Sequence, residues 1–538
     1  MKQKFLFLLI FNLILLVNPI NTHAQKTVEN LNLRISLQQI IPSEVDTGSF
    51  IIASKIQEWS PDETAIIICD MWDKHWCSGA SDRVAEMAPV MNQVITTARE
   101  KGVLIVHAPS ECMNTYKNHP ARKTGSKYKN NKAKNLISEN KLEAEKDAVW
   151  PIDQSDGGCD CQPECKQGNP WTKQIDIIQI ADKDAISDSG VEIAGLFQNR
   201  GIKNVILMGV HTNMCVIGRS FGLRNMVRLG YNVALMRDLT DTMYDSKQWP
   251  NVSHFAGNSL VISYIEKYVC PTMLSCDFTG KKQFRFKADD RPVVAFVSAE
   301  GEYRTNQRFP EFAQNYLIKN NINCEFALGK PEMKGEGRHN IENLQILKDA
   351  DLAVIAVRRR ALEPAKMKLI KDYCLSGKPI LGIRVASHAF DAKQNVPREG
   401  GGLVSSNEST SEFLEQWPEF DKQILGGNYQ GHYGHLKEGT SIAIIPGMEN
   451  HPLLKGINPD GFVSPSWLYK NRPLASENIQ VLLTGKNSGE PTEPVMWINK
   501  STHGKVVYTS LGHWDDWELE DFNKLVANSI YYLLNHKN

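Results

Sequence analysis

Cys215, Asp70 and Lys183 have the types and settings that nucleophilic chemistry needs. Cys215 lies in Val205-Ile-Leu-Met-Gly-Val-His-Thr-Asn-Met-Cys215-Val216, where an apolar run passes into a stretch of helical pattern, Val216 to Leu229. A thiol at that junction faces the positive end of a helix, which favours thiolate and makes a nucleophile near neutral pH. Asp70 closes the apolar run Thr64-Ala-Ile-Ile-Ile-Cys69 and can take the thiol proton as a general base. Lys183, upstream of the cysteine run, is the candidate cation. His107 ends a second run, Gly102-Val-Leu-Ile-Val-His107, while Trp72 and His75 follow the aspartate in Asp70-Met-Trp-Asp-Lys-His-Trp-Cys77. These three are candidate substrate-pocket residues; packing at a strand end is the alternative for each.

The elements that must position them are legible as alternating patterns. Short continuous apolar runs predict buried parallel strands, at Thr64–Cys69, Gly102–His107, Asn204–Met208 and Asn232–Met236. Helical periodicity follows at Arg83–Lys101, Gly190–Arg200 and Val216–Leu229. In such a doubly wound layer ligands sit beyond the carboxyl ends of the strands, where Asp70, His107 and Cys215 fall. The polar stretch 110–175 predicts a lid or binding loop, or else a partly disordered segment. A charged segment, 279–290, reads as a linker, after which the alternation restarts. Strands are expected at Val293–Val297, Asp351–Val357, Pro379–Ile383 and Val506–Leu511, with helices at Phe309–Asn320, Ala365–Ser376 and Asp521–Leu534. The fold class is therefore α/β, two doubly wound domains with mainly parallel sheets, over residues 35–278 and 291–538.

Composition sets the outer bounds. The chain has 538 residues, too many for one core at roughly 100–200 residues per domain. Its 61 basic residues balance 61 acidic ones, which argues against nucleic acid and anionic membranes as partners. A small molecule is the expected partner, with homo-oligomerisation left open. The basic start Met1-Lys-Gln-Lys4, the apolar run Phe5–Val17 and Thr22-His-Ala24 predict a cleaved signal peptide, 1–24, and a periplasmic or secreted product without a membrane span. Export permits disulfides among the 11 cysteines. Cys159, Cys161 and Cys165 crowd one loop and Cys270 and Cys276 end the first half, but no paired Cys-x-x-Cys knuckle occurs, so one or two loop-stapling disulfides are expected and no metal.

Asp70 after its apolar strand, an upstream lysine and Gly209-Val-His-Thr-Asn-Met-Cys215-Val together resemble the isochorismatase-like cysteine hydrolases, over about Ala65 to Val269. The resemblance implies a triad of Asp70, Lys183 and Cys215. It also implies a cis peptide before His211, with the His211 and Cys215 backbone N–H groups as oxyanion hole. An amide or ureide C–N bond would then be cleaved through a thioester, without a cofactor. Three departures mark this chain. Lys183 stands one residue nearer the cysteine than is usual, with Asp182 in the alternative register. Trp72 and His75 replace the family's Gln and Phe, and the Asp-x-His metal motif of the nicotinamidases is missing.

In the second half, Val293-Val-Ala-Phe-Val-Ser-Ala-Glu300-Gly-Glu302-Tyr303, Gly382-Ile-Arg384-Val-Ala-Ser-His388, Gly426-Gly-Asn-Tyr-Gln-Gly-His432 and Thr509-Ser-Leu-Gly-His513 resemble the trehalose-utilisation (ThuA-like) family, over about Pro292 to Leu534. A fold similar to the flavodoxin-like class I glutamine amidotransferases is implied, with Ala386 and Ser387 where those enzymes carry cysteine. Glu302, His388, His432 and His513 are the pocket candidates, and a sugar the candidate ligand; His435 belongs to the same Gly-rich stretch. Two alternatives to a hydrolase remain at this level: an enzyme of sugar derivatives active in the second half, or a non-catalytic binding protein.

Overall fold

The computed structural model describes residues 32–43, 50–330, 337–392, 396–397, 403–404, 414–434, 438–458, 460–500 and 504–535. The expected signal peptide and His435 lie outside them. The first domain opens with a hairpin, β1 (Leu33–Pro42) and β2 (Phe50–Trp59). There follow β3 (Thr64–Cys69), α1 (Ser78–Glu100), β4 (Leu104–Ala108), α2 (Pro120–Ser126), α3 (Asn131–Leu136), β5 (Ala185–Ile186), α4 (Gly190–Arg200) and β6 (Asn204–Val210). The domain ends with α5 (Leu223–Arg228), β7 (Asn232–Asp241), α6 (His254–Tyr268), β8 (Thr272–Met273) and α7 (Cys276–Thr279). Its eight strands run in the order β2-β1-β8-β7-β6-β3-β4-β5 and are parallel from β8 to β5.

Every residue of β3 and β6 is buried, as central strands covered on both faces must be. The helix α1 buries Val84, Met87, Ala88, Met91, Val94, Ile95 and Ala98, a stripe at helical spacing that lies on one face of the sheet. Register places Cys69 beside both Ala108 and Gly209, so the residues after them share one edge. Gly209 is required there: with φ 120, a Cβ would lie 2.1 Å from the Cys69 carbonyl oxygen.

The second domain comprises β9 (Val293–Ala299), α8 (Thr305–Phe312), β10 (Asn323–Leu328), β11 (Leu352–Val357), α9 (Pro364–Leu375) and β12 (Ile380–Ile383). A separate pair, β13 (Val396–Pro397) and β14 (Leu403–Val404), precedes β15 (Thr440–Ile444), β16 (Phe462–Ser464), β17 (Ile479–Lys486), β18 (Glu493–Asn499), β19 (Val506–Thr509) and α10 (Glu520–Leu534). The nine-stranded sheet runs β10-β9-β11-β12-β19-β18-β17-β15-β16, parallel as far as β19 and antiparallel beyond it. Both domains are thus α/β with a parallel sheet core, as the alternation predicts.

The differences are local. The expected helix Val216–Leu229 is a π-turn at Thr212–Val216 and then the short α5, which begins only after Gly222. The expected helix Phe309–Asn320 changes pitch at Ala313. The 279–290 segment is packed rather than free. Phe286 is buried in the core beneath α1, and Asp238 accepts from the Phe284 N–H at 2.9 Å. All 11 cysteines are free, which corrects the expectation of disulfides.

Candidate active site

Beyond the carboxyl ends of β3 and β6, Asp70 and Cys215 meet. Asp70 is fully buried and takes φ 47, a conformation strained for a residue with a Cβ. Its Oδ1 accepts from the Ser110 N–H at 2.7 Å, and the Cys215 thiol is within hydrogen-bonding reach of the carboxylate. The Val210–His211 peptide is cis, and the His211 N–H is directed at the Cys215 sulfur.

The cation beside this pair is Arg219, not Lys183. Arg219 Nε lies 3.1 Å from Asp70 Oδ2, one helical turn beyond Cys215, whose carbonyl accepts from the Arg219 N–H. Lys183 is exposed and precedes β5, which runs parallel to β4 with Ala185 opposite Val106. That register puts Lys183 at the amino end of the sheet, while the site lies at the carboxyl end. The signal for Arg219 was its spacing: a residue four after the nucleophile shares its helical face.

Electrostatics correct a second expectation. Burial and the nearby Asp70 carboxylate push the Cys215 thiol up to about 12, so it stays protonated at neutral pH. The π-turn that carries it supplies no α-helix N-terminus. Burial raises Asp70, and Arg219 opposes the rise. Arg219 is held well above its ordinary range by Asp70 despite burial pulling it down. Cys215 therefore rests as a thiol beside Asp70, whose carboxyl group is placed to accept its proton.

On one side of Cys215 stand aromatic rings. Trp72 is buried and stacks on Trp171 at 4.4 Å, and His75 continues the stack at 5.9 Å from Trp171. His75 also meets His211 edge-on at 4.7 Å. Burial lowers His211 to about 3 and its Nε2 finds no partner among the described residues. Cys215 also borders an open cleft of about 820 Å³, together with Ser110, Glu111, Asp188, Met214 and Arg219. Trp72 and His75 are therefore beside the Cys215 site, whereas His107 is not. Its Nδ1 lies 3.0 Å from Gln174 Oε1 and its Nε2 3.1 Å from Asp184 Oδ2, both buried.

In the second domain a cleft of about 650 Å³ includes His388 and His432. His388 stacks on Tyr429 at 4.5 Å and His432 faces Trp467 at 4.9 Å. Glu302 pairs with Arg358 at 2.9 Å, and His513 is in contact with Trp514 and Tyr303. The tip of the turn after β12 is Arg384, with φ 44, which sequence reasoning missed. Its guanidinium is buried between Tyr303 at 4.3 Å and Tyr469 at 4.6 Å, and donates to the Ser510 carbonyl. Arg384 joins His513 to the cleft through these rings.

Residues 387–533 match the model of the ThuA family, described as trehalose utilisation. No curated protein matches the chain in sequence. Among solved structures, a cysteine hydrolase from Pseudomonas syringae pv. phaseolicola 1448A is 16% identical over 39% of this chain and 88% of its own, with a TM-score of 0.25. A putative ThuA-like protein from Parabacteroides merdae ATCC 43184 is 14% identical over 45% of this chain and 90% of its own, TM-score 0.31. N-carbamoylsarcosine amidase from Thermoplasma acidophilum is 13% identical over 33% and 83%, TM-score 0.19. The ThuA match falls within the second α/β domain.

Proposed function

We propose that the first domain is a cysteine hydrolase that cleaves the C–N bond of a small amide or ureide. The observation that carries this reading is the Cys215 thiol held against the buried, strained Asp70, with Arg219 3.1 Å from its carboxylate. Asp70 takes the thiol proton as sulfur attacks the carbonyl carbon, and the carbonyl electrons move to oxygen beside the backbone N–H groups of His211 and Cys215. Collapse breaks the C–N bond, and Asp70 returns its proton to the leaving nitrogen. Water then attacks the thioester carbon, giving a proton to Asp70; collapse breaks the C–S bond, releases the acid, and Asp70 returns that proton to the Cys215 sulfur. The acidic rim of Glu111 and Asp188 favours neutral or cationic substrates over anionic ones.

In the same reading the ThuA domain holds a sugar derivative against the rings of Tyr429 and Trp467, where polar His388 and His432 border apolar faces. Export through the segment 1–24 completes it, and sequencing the mature amino terminus for a start at Gln25 checks that part. The hydrolase is tested by ammonia or amine release from an amide and ureide panel, with thioester trapping at Cys215 read by peptide mass. Cys215→Ala should lose activity by about 10³-fold or more. Undiminished turnover in that variant would overturn the assignment.

A further inference from the structure

Four of the free cysteines gather away from Cys215. The sulfur atoms of Cys77, Cys159, Cys161 and Cys165 all lie within 4.8 Å of one another. Cys159 Sγ is 3.2 Å from Cys77 Sγ, and Cys77 Sγ is 3.7 Å from Cys161 Sγ. A disulfide needs about 2.05 Å, and each sulfur here has several neighbours rather than one partner. A tetrahedron of thiolates around zinc, with Zn–S near 2.3 Å, has edges of about 3.8 Å. The observed spacing is that of the second arrangement.

The surroundings point the same way. Cys77 is the residue before α1, so the cluster sits at the amino end of a 23-residue helix. The Gly79 N–H is 3.3 Å from Cys161 Sγ and the Ser78 N–H 3.5 Å from Cys165 Sγ, while the Ser78 hydroxyl is within 3.5 Å of both sulfurs. Such donors stabilise negative sulfur. Arg83, on the next turn of α1, is close enough to Cys77 for the two to interact electrostatically, and its buried Nη2 has no partner among the described residues. Gly158 lets the loop reach this place: with φ 73, a Cβ would lie 2.3 Å from the Met243 carbonyl carbon.

We propose that Cys77, Cys159, Cys161 and Cys165 bind one zinc ion through four thiolates, in a closed structural site that pins the long loop to the start of α1. Binding releases the four thiol protons to solvent and moves no electrons. With four sulfur ligands no position is left open for catalysis. The site instead braces the wall of the cleft: the cluster packs on Met243 and Met214, and Met214 lines the cleft beside Cys215. Sequence spacing concealed it, because Cys77 comes from a different segment than the other three.

The test reads metal content, so its outcome is independent of whether Cys215 is a nucleophile. The full chain, purified under reducing conditions, should carry about one zinc per chain by elemental analysis. Titration with a mercurial thiol reagent should release that zinc into a chromogenic chelator as four thiols react. Cys161→Ser and Cys165→Ser should each drop the content below about a tenth of a zinc per chain, while Cys374→Ser keeps it. If the single variants fail to fold, the mercurial titration of the native chain decides alone. Metal-free native protein, disulfides among these four cysteines on non-reducing peptide mapping, or iron in place of zinc would overturn the proposal.

Discussion

In the proposed hydrolysis Arg219 acts through Asp70. Burial raises the Asp70 pKa and so disfavours the ionised base; the guanidinium 3.1 Å away offsets part of that effect. The proposed mechanism needs Asp70 ionised and Cys215 protonated, and the thiol leaves that form only near pH 12. The rate kcat/KM should therefore rise with pH through an acid limb lying above the ordinary carboxylate range, and show no alkaline fall near neutrality. Removing the guanidinium removes an influence that lowers the Asp70 pKa, so Arg219→Met should move the acid limb to higher pH and cut kcat/KM at neutral pH by roughly 10²-fold. Arg219→Lys should recover part of the shift. Lys183→Ala, altering an exposed residue at the far end of the sheet, should stay within about twofold of wild type. A pH profile unmoved by Arg219→Met, or a collapse in Lys183→Ala, would return the lysine to the site.

At the scale of elements, the entry to β5 is a polar anchor. Asp184 accepts from Arg99 Nε at 3.0 Å and Nη2 at 2.8 Å, and from the Ala181 N–H at 2.8 Å, with His107 on its other side. Burial opposes its ionisation, yet the hydrogen bonds from His107 and Arg99 hold it down to about 2, below its ordinary 3.8. A depressed carboxylate stabilises the fold fully above the unfolded value and loses that contribution as pH falls through the folded one. Asp184→Asn should therefore cost on the order of 1–2 kcal/mol at pH 7 in urea unfolding, a difference that shrinks between about pH 4 and 2. An unchanged pH dependence would show the anchor to be idle. This anchor also explains what the sequence could and could not reveal. The strand β3 and the helix α4 are legible to the residue, because a continuous apolar run and a capped periodic stretch each carry their own signal. Asp70 is legible for the same reason, as it closes such a run, and Cys215 lies in the turn just past another. Lys183 misleads because β5 is only two residues long and offers no apolar run from which to read register. His107 misleads because its partners, Gln174 and Asp184, come from the irregular loop. The four-cysteine cluster and the antiparallel strands β15 to β18 depend on contacts distant in sequence, which local pattern does not record.

For the whole molecule, the hairpin β1–β2 is the element that makes one body of two domains. It extends the first sheet through Gln38 opposite Thr272, yet Ile40 and Ile52 are buried in the second domain's core with Phe296, Phe309 and Phe326. Arg237 and Glu325 add a largely buried ion pair across the same boundary at 3.3 Å. Apolar interdigitation of this kind couples unfolding, whereas a polar contact between independent domains leaves each to melt alone. Ile52 is the place to cut the coupling, because it reaches the second core from a strand that the first domain holds by β-pairing. Ile52→Asp would bury an uncompensated carboxylate and should cost about 3 kcal/mol or more. Calorimetry of the wild-type chain should show one cooperative transition, and Ile52→Asp should split it, with the second domain melting earlier. Ammonia release at Cys215 should persist at temperatures below the first of the two transitions, since the hairpin lies at the sheet edge remote from β3 and β6. Two transitions already present in the wild type, or one unsplit transition in the variant, would show that the hairpin does not couple the domains.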